Sequence, residues 1–444
     1  MAAAEAIEDR WMSQVFEETR DLERDASLES LYNTCSSALK SLRVPTARNE
    51  DYRFTDLSVL SRSPVYAPKN PVSEKINDIV LSAELDGPAI KVVVVNGVVS
   101  EVLLPDQGAK AEGVYIGSAK HAPKDVVSFS LGNQSRSRGG PFAVLNGASI
   151  RDCAVLYVPE GCSVDMPIQI INISSGNTVA GKQAFSAPRT LIFLEAGATA
   201  EIVEEYFTLE ETNEGSSVCC SVTEIELDDG ASLNHKLVMA DESRSINLKS
   251  TLVSQGTESE YSLVEVRSGG LLTRHDVGVV QLGKATHTAM KHFVLAADDQ
   301  LHDVHTKLTL DHPEGKAAQL HKCIAASATA KGVFDGNVRV NRMAQQTDAQ
   351  QLSRNLLLVP KATVNVKPNL QIVADDVKCT HGCAVSDLEE EQLFYLQARG
   401  IDTAAARKML VYSFGGEVIQ SLTDKKLMSR VEAEVNKSLD AMFA

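Results

Sequence analysis

A short glycine-centred turn recurs along the middle of this chain, and it narrows the possible folds more than any other feature. It reads Glu160-Gly161-Cys162-Ser163-Val164, then Ala196-Gly197-Ala198-Thr199-Ala200, then Asp229-Gly230-Ala231-Ser232-Leu233. Later versions are Leu282-Gly283-Lys284-Ala285-Thr286 and Lys361-Ala362-Thr363-Val364. The first three glycines are spaced within the roughly 20–50-residue window of repeat architectures. Glycine supplies the positive φ of a tight corner, and the small residue after it lets successive coils stack. Between the turns lie short β-branched segments such as Val92–Val95, Val155–Val158, Ile168–Ile173, Thr190–Leu194, Ser221–Leu227 and Ser262–Val266. No convincing long helix separates them, which excludes a doubly wound α/β fold. The pattern predicts a β-solenoid, a parallel β-helix; a large antiparallel sandwich is the alternative that short strands with turn signals also allow.

Helices are expected on both sides. Trp11, Val15, Phe16, Leu22, Leu28, Leu31, Leu39 and Leu42 recur at three- and four-residue steps over the first 42 residues, and Ser73 to Leu85 reads as a further short helix. Pro45, Pro64, Pro68 and Pro71 mark the connection between them. After Val385, Ser386-Asp387-Leu388-Glu389 reads as a capping box with Gly400 as its C-cap, and an Asp402-capped helix is expected to stop at Gly415-Gly416. Leu427, Val431, Val435 and Leu439 place one apolar face on a third helix. The expected domains are helical 1–90, β-helical 91–385 and helical 386–444.

Bulk chemistry removes several functions. With 59 acidic and 43 basic side chains the net charge is -16, a field that repels phosphate backbones and argues against nucleic acid. No apolar run approaches the roughly 20 residues of a membrane helix. The eight cysteines lack the regular spacing of a disulfide framework, which suits a reducing compartment. The acidic first residues resemble neither a signal peptide nor an Arg-rich transit peptide.

Two segments, Gly176 to Lys182 and Gly278 to Lys284, match G-x-x-x-x-G-K, but Gln183 and Ala285 stand where a P-loop needs Ser or Thr. Neither opens a helix, so nucleotide binding is not expected. In His302-Asp303-Val304-His305 the two histidines would face opposite sides of a strand, which favours structural roles. Asp375-Asp376 likewise cannot act as one carboxylate pair, and the single tryptophan is meagre for stacking sugars, so a β-helical carbohydrate enzyme is disfavoured.

The sharpest local chemistry is Lys378-Cys379-Thr380-His381-Gly382-Cys383. On a strand Cys379, His381 and Cys383 share a face, and Lys378 is expected to favour the thiolate of its neighbour. Thiolate and imidazole suit iron–sulfur or zinc chemistry. Three donors do not close a site, so the row reads either as a half-site completed from elsewhere or as the buried end of the solenoid.

Phe334-Asp335-Gly336, Ala344-Gln345-Gln346-Thr347-Asp348-Ala349, Arg354-Asn355-Leu356-Leu357-Leu358, Lys367-Pro368-Asn369-Leu370, Ala374 to Gly382, Leu393-Phe394-Tyr395 and Arg399-Gly400-Ile401 together resemble the SufB/SufD family of iron–sulfur cluster assembly scaffolds. Arg53-Phe54-Thr55 and His302 to Thr306 extend the likeness over most of the chain, and the Lys-Cys-x-His-Gly form at 378–382 is similar to the SufD branch, plastid type. The resemblance implies a right-handed parallel β-helix between helical domains and a non-catalytic scaffold. It implies pairing with a SufB-like scaffold, docking of a SufC-like ABC-type ATPase on the C-terminal helices, and a homodimer when alone. An iron–sulfur cluster would be held only transiently, shared with the SufB-like partner, through His381, Cys379 and, departing from the family pattern, Cys383. Leu393, Phe394, Tyr395, Arg399, Leu410 and Phe414 would form the ATPase seat. The implied location is the chloroplast stroma, with a bacterial cytoplasm as the alternative. A SufB-like primary sulfur acceptor is the rival assignment within the family.

Overall fold

The computed structural model describes residues 8–68, 73–105, 112–175, 179, 181–209, 216–241 and 244–443. Pro71 and residues 176–178 and 180 of the first P-loop-like segment lie outside the described residues.

The chain opens with helices α1 (Arg10–Thr19) and α2 (Glu29–Leu39), a short strand β1 (Val65–Tyr66) and helix α3 (Ser73–Ser82). Asp9 begins α1 because its carboxylate accepts the backbone N–H of Trp11 at 2.9 Å and of Met12 at 3.0 Å, two donors a helix start leaves open. Strands β2 (Ile90–Val95), β3 (Val98–Leu103) and β4 (Tyr115–Ser118) follow, then three short helices, α4 (Lys124–Ser130), α5 (Asn133–Arg138) and α6 (Pro141–Ala148). These three interrupt a stretch whose sequence reads as continuous β. They are six to eight residues long, below the length at which helical periodicity can be told from noise.

The solenoid then runs through β5 (Ala154–Val158), β6 (Ile168–Ser175), β7 (Gln183–Ser186), β8 (Arg189–Leu194), β9 (Thr199–Leu209), β10 (Ser216–Leu227), β11 (Ser232–Asp241), β12 (Ile246–Gln255), β13 (Glu260–Gly269) and β14 (Leu272–Gln281). It continues as β15 (His287–Ala296), β16 (Leu301–Leu310), β17 (Lys316–Ala325), β18 (Lys331–Val340), β19 (Thr347–Leu357), β20 (Thr363–Ile372) and β21 (Val377–Ser386). Successive strands alternate between two sheets. One is ordered β20-β18-β16-β14-β12-β10-β8-β5-β4 and the other β21-β19-β17-β15-β13-β11-β9-β6-β2-β3. Apart from the antiparallel pairs β2–β3 and β4–β5, neighbours are parallel, which makes the fold a parallel β-solenoid and rules out the sandwich alternative.

The glycine turns form one corner of this coil. Gly161, Gly197 and Gly230 have φ of 67°, 66° and 68°, and the N–H of Gly161 and of Gly197 each donates to the next corner, at Ala196 and Asp229, over 2.8 Å. Farther along, the same left-handed position is held by Glu258, Ala285, Glu314 and Gln346. The later sequence versions of the turn therefore differ from the first three. Gly283 is not the left-handed residue of its corner; a Cβ there would overlap the Thr257 nitrogen, so close approach requires it. Lys361, with φ of 71°, belongs to the opposite corner, between β19 and β20.

Helices cover much of the outer face of each sheet, short of the last strands. Trp11, Met12, Leu31, Phe142 and Leu145 pack against Val155, Leu191, Val218 and Leu248 of the first sheet. Helices α8 (Thr403–Ile419) and α9 (Lys425–Phe443) lay Val411, Val418, Leu427, Val431 and Val435 on Val203, Val264, Phe293 and Ile324 of the second. A shorter helix, α7 (Glu390–Gln397), precedes them. Two end signals read differently from their sequence. Ser386 closes β21, so the capping box does not form and Glu389 precedes α7 without a side-chain cap. Gly415-Gly416 lies inside α8 because the bare Gly415 seats on Phe293, whose ring would be 2.5 Å from an added Cβ. Tight packing there outweighs the roughly 1 kcal/mol that an interior glycine costs a helix.

Between the sheets the interior divides lengthwise. One half is aliphatic, built from Ile170, Ile192, Ile202, Ile225, Leu263, Val279 and Leu308. The other half is ionic. Glu204 accepts from Lys249 Nζ at 2.8 Å and from Tyr206 OH at 2.6 Å, with His235 Nε2 at 3.0 Å. Glu265 lies 3.0 Å from His275 Nδ1 and 2.7 Å from His292 Nδ1, and also pairs with Arg267. Burial alone would raise both carboxyls, yet the cations beside them hold both well below the usual carboxylate range. Such networks persist because every charge taken out of water is met by an opposite one.

Candidate functional site

Side chains in register on parallel strands point to the same face. Strand β21 is the last rung of its sheet, and it pairs Cys379 with Ala349, His381 with Gln351 and Cys383 with Ser353 of β19. Ala349, Gln351 and Ser353 are buried and face the interior. Cys379, His381 and Cys383 therefore project from one face over that interior, and no further rung covers them. Cys379 is half-buried against the aliphatic core, whereas His381 and Cys383 are exposed. The row is thus the open end of the solenoid. Lys367 of β20 fastens the same coil to the N-terminal region, its Nζ donating to Glu50 at 2.9 Å.

Alternate residues on a strand are about 6.6 Å apart, whereas metal–ligand bonds are roughly 2.0–2.3 Å, so the three donors cannot close together on one ion without leaning strongly inward. Among the described residues, no three His, Cys, Asp or Glu side chains form a group that could hold a metal ion. The row instead offers donors one at a time to a ligand lying along the strand.

Lys378 does not activate Cys379. Neighbours on a strand face opposite ways, and burial raises the Cys379 thiol; a hydrogen bond from Ala349 N–H only partly offsets this, and the Asp348 charge adds to it. Burial raises the Cys383 thiol as well. Both are thiols at neutral pH, so metal ligation there has to release a proton.

The other sequence candidates fall elsewhere. His302 faces the interior, 2.6 Å from Thr273 Oγ1, and burial, with Arg267 nearby, takes it down to about 3. His305 faces outward, 2.9 Å from Asp303; burial works against its proton but Asp303 outweighs it and raises the histidine. Both serve the framework. Gly278 to Lys284 spans the end of β14 and a corner, with no helix to hold phosphate.

Helix α7 buries none of its residues. Phe394 is 72% and Tyr395 56% exposed, and the Arg399 guanidinium lies 3.5 Å over the Tyr395 ring. Leu393 and Leu410 are half-buried. Phe414 stands apart from this set, since it packs at the helix–sheet contact with Lys322 Nζ 4.7 Å over its ring. Sequence reasoning missed the interior ionic residues altogether. Their signal was polar and charged residues at single inward positions of successive strands, Glu204, His235, Lys249, Glu265, Arg267, His292 and His321 among them, where an aliphatic core is expected.

Comparison with known proteins adds the family. Residues 177–414 match the SufBD core domain of the SUF system for FeS cluster assembly, and residues 7–170 match the SufBD protein N-terminal region. The chain is similar to "Protein ABCI7, chloroplastic" of Arabidopsis thaliana, 41% identical over 92% of this chain and 85% of the relative. It is 32% identical to an iron–sulfur cluster assembly SufBD family protein of Synechocystis sp., over 92% of this chain and 90% of that one. It is 27% identical to the iron–sulfur cluster assembly protein SufD of Escherichia coli, over 89% of each chain. With both family regions matched in order along one solenoid, this chain belongs to the SufBD family of SUF-system iron–sulfur cluster assembly proteins.

Proposed function

We propose that the chain is the SufD-type scaffold subunit of a plastid SUF complex, acting in the stroma without turnover of its own. It pairs with a SufB-like scaffold at the open end of the solenoid and lends donors to a cluster that passes through that junction. The observation that carries this reading is the uncovered rung bearing Cys379, His381 and Cys383. The cluster is cargo. A multi-iron body lying along the strand can take a donor at each step, which a single ion cannot, and the partner supplies the remaining ligands. A SufC-like ATPase seats on α7, where Phe394 and Tyr395 offer an exposed aromatic pair of the kind that anchors a groove.

Anaerobic purification of the tagged chain from its native extract tests the pairing; recovery without a SufB-like protein, under conditions that preserve other complexes, sinks it. His381→Ala and Cys379→Ser then test the donors, with cluster absorbance of the complex as readout. Full assembly by both variants removes the ligand role. Persulfide on this chain after incubation with a cysteine desulfurase system would instead make it the primary sulfur acceptor. Phe394→Asp tests the ATPase seat by binding, and is preferable to truncation at residue 386 because α8 and α9 are part of the core.

A further inference from the structure

The ionic half of the interior does not end where its ion pairs end. In register along the second sheet, Glu265 pairs with His292, His292 with His321, His321 with Ser353 and Ser353 with Cys383. This column leads from the middle of the solenoid to its open rung. Along it each histidine uses one ring nitrogen and leaves the other bare. His292 Nδ1 lies 2.7 Å from Glu265 and His321 Nδ1 3.2 Å from Ser353 Oγ, while Nε2 of both is buried without a hydrogen-bond partner among the described residues. The neighbouring interior atoms share this condition. Arg267 Nη1 and Nη2, Gln319 Nε2, Gln351 Oε1 and Asn355 Oδ1 are buried with no hydrogen-bond partner among the described residues. Seven such atoms therefore lie on the inward faces of four successive strands, β13, β15, β17 and β19.

A buried polar group left unsatisfied costs roughly 1–3 kcal/mol, so a cluster of this size is not a stable dry packing. Internal water satisfies such groups where two to four polar partners are within its reach. We propose that a file of water runs along the inner face of the second sheet from Arg267 to the open rung, and that with His292, His321 and Ser353 it carries protons between Glu265 and the solenoid's end. A water between the two Nε2 nitrogens completes the row. A proton arriving along the water file from the open rung is taken up by the buried Ser353 Oγ as the hydroxyl hands its own proton to His321 Nδ1. His321 Nε2–H is released to the bridging water, and the water gives its own proton to His292 Nε2. The resulting imidazolium donates through Nδ1–H to the Glu265 carboxylate, which is also faced by Arg267 and His275. No bond other than those to hydrogen changes, and no oxidant or reductant enters. Burial keeps His321 neutral, its pKa taken down to about 3, so it passes a proton on without retaining it.

The inference does not depend on the cluster-scaffold reading, and its test uses the isolated full chain. With 15N-histidine labelling, the exchange of ring N–H protons of His292 and His321 with water is measured by magnetisation transfer. A hydrated row gives exchange at least 100-fold faster than that of the backbone amides of β15 and β17, and Ser353→Ala slows it at least tenfold while leaving His235, which sits in the separate Glu204 cluster, unchanged. Exchange no faster than those amides overturns the proposal, as does a Ser353→Ala rate equal to that of the unmodified chain. Should Ser353→Ala fail to fold, a crystallographic map of the unmodified chain decides: density for water between the two Nε2 nitrogens supports the row, and a dry gap overturns it.

Discussion

The middle and the end of the solenoid place comparable side chains on one inward column, and the two stretches behave in opposite ways. At the middle, Glu265 and His292 are fully enclosed and hydrogen-bonded to each other, and Glu265 is ion-paired with Arg267. At the end, Cys383 stands on the same column with a buried serine beneath it and no rung above. A parallel solenoid thus makes the surroundings of a side chain depend on its distance along the axis: enclosed polar groups meet each other, and terminal ones are left uncovered.

Glu265→Leu should break that comparison most severely. It leaves Arg267 enclosed without its carboxylate, at a cost of about 3–5 kcal/mol, whereas a terminal substitution removes no such partner. Urea unfolding measures it, and a loss below about 1 kcal/mol would show that the interior charges are not interdependent. Acid comes next. Burial pushes His275 down to about 4 although Glu265 pulls the other way. Between the unfolded value near 6.5 and that value, the unfolded chain binds the proton and the folded chain does not. Stability should accordingly fall as pH drops from about 6.5 to about 4, on the order of 3 kcal/mol from this group, and His275→Gln should flatten the slope.

Gly415→Val is expected to cost about 1–3 kcal/mol by overpacking on Phe293, and to make α8 and α9 susceptible to limited proteolysis while the ionic middle stays intact. The smallest effect belongs to the end of the coil. Cys383→Ala should change stability by no more than about 0.5 kcal/mol, so any loss of cluster loading it causes is a loss of ligand chemistry and not of fold.

The coil was legible because its corners are local: a glycine, a small residue and a β-branched run fit within one pentapeptide. The row Cys379, His381, Cys383 was legible for the same reason, being a period-two pattern on a single strand. What escaped was whatever depends on two distant segments meeting. Glu204 and Lys249 are 45 positions apart and become neighbours only through the winding. Gly415-Gly416 looks like a stop until Phe293 is seen beneath it, and the Lys378–Cys379 coupling failed because adjacency in sequence is opposition across a strand. The helices α4 to α6 were hidden by their brevity.

The stacking of coils also sets a metric. Helices α8 and α9 lie on strands of the middle coils, while the donors sit on the last rung, and successive strands in the sheet are about 4.8 Å apart. The separation between whatever grips the helices and whatever meets the donors is therefore quantised: inserting or deleting one coil shifts it by a single strand spacing and leaves every contacting residue unaltered. Relatives that differ by a coil would reach a common partner only if that partner had moved its own contact by the same step.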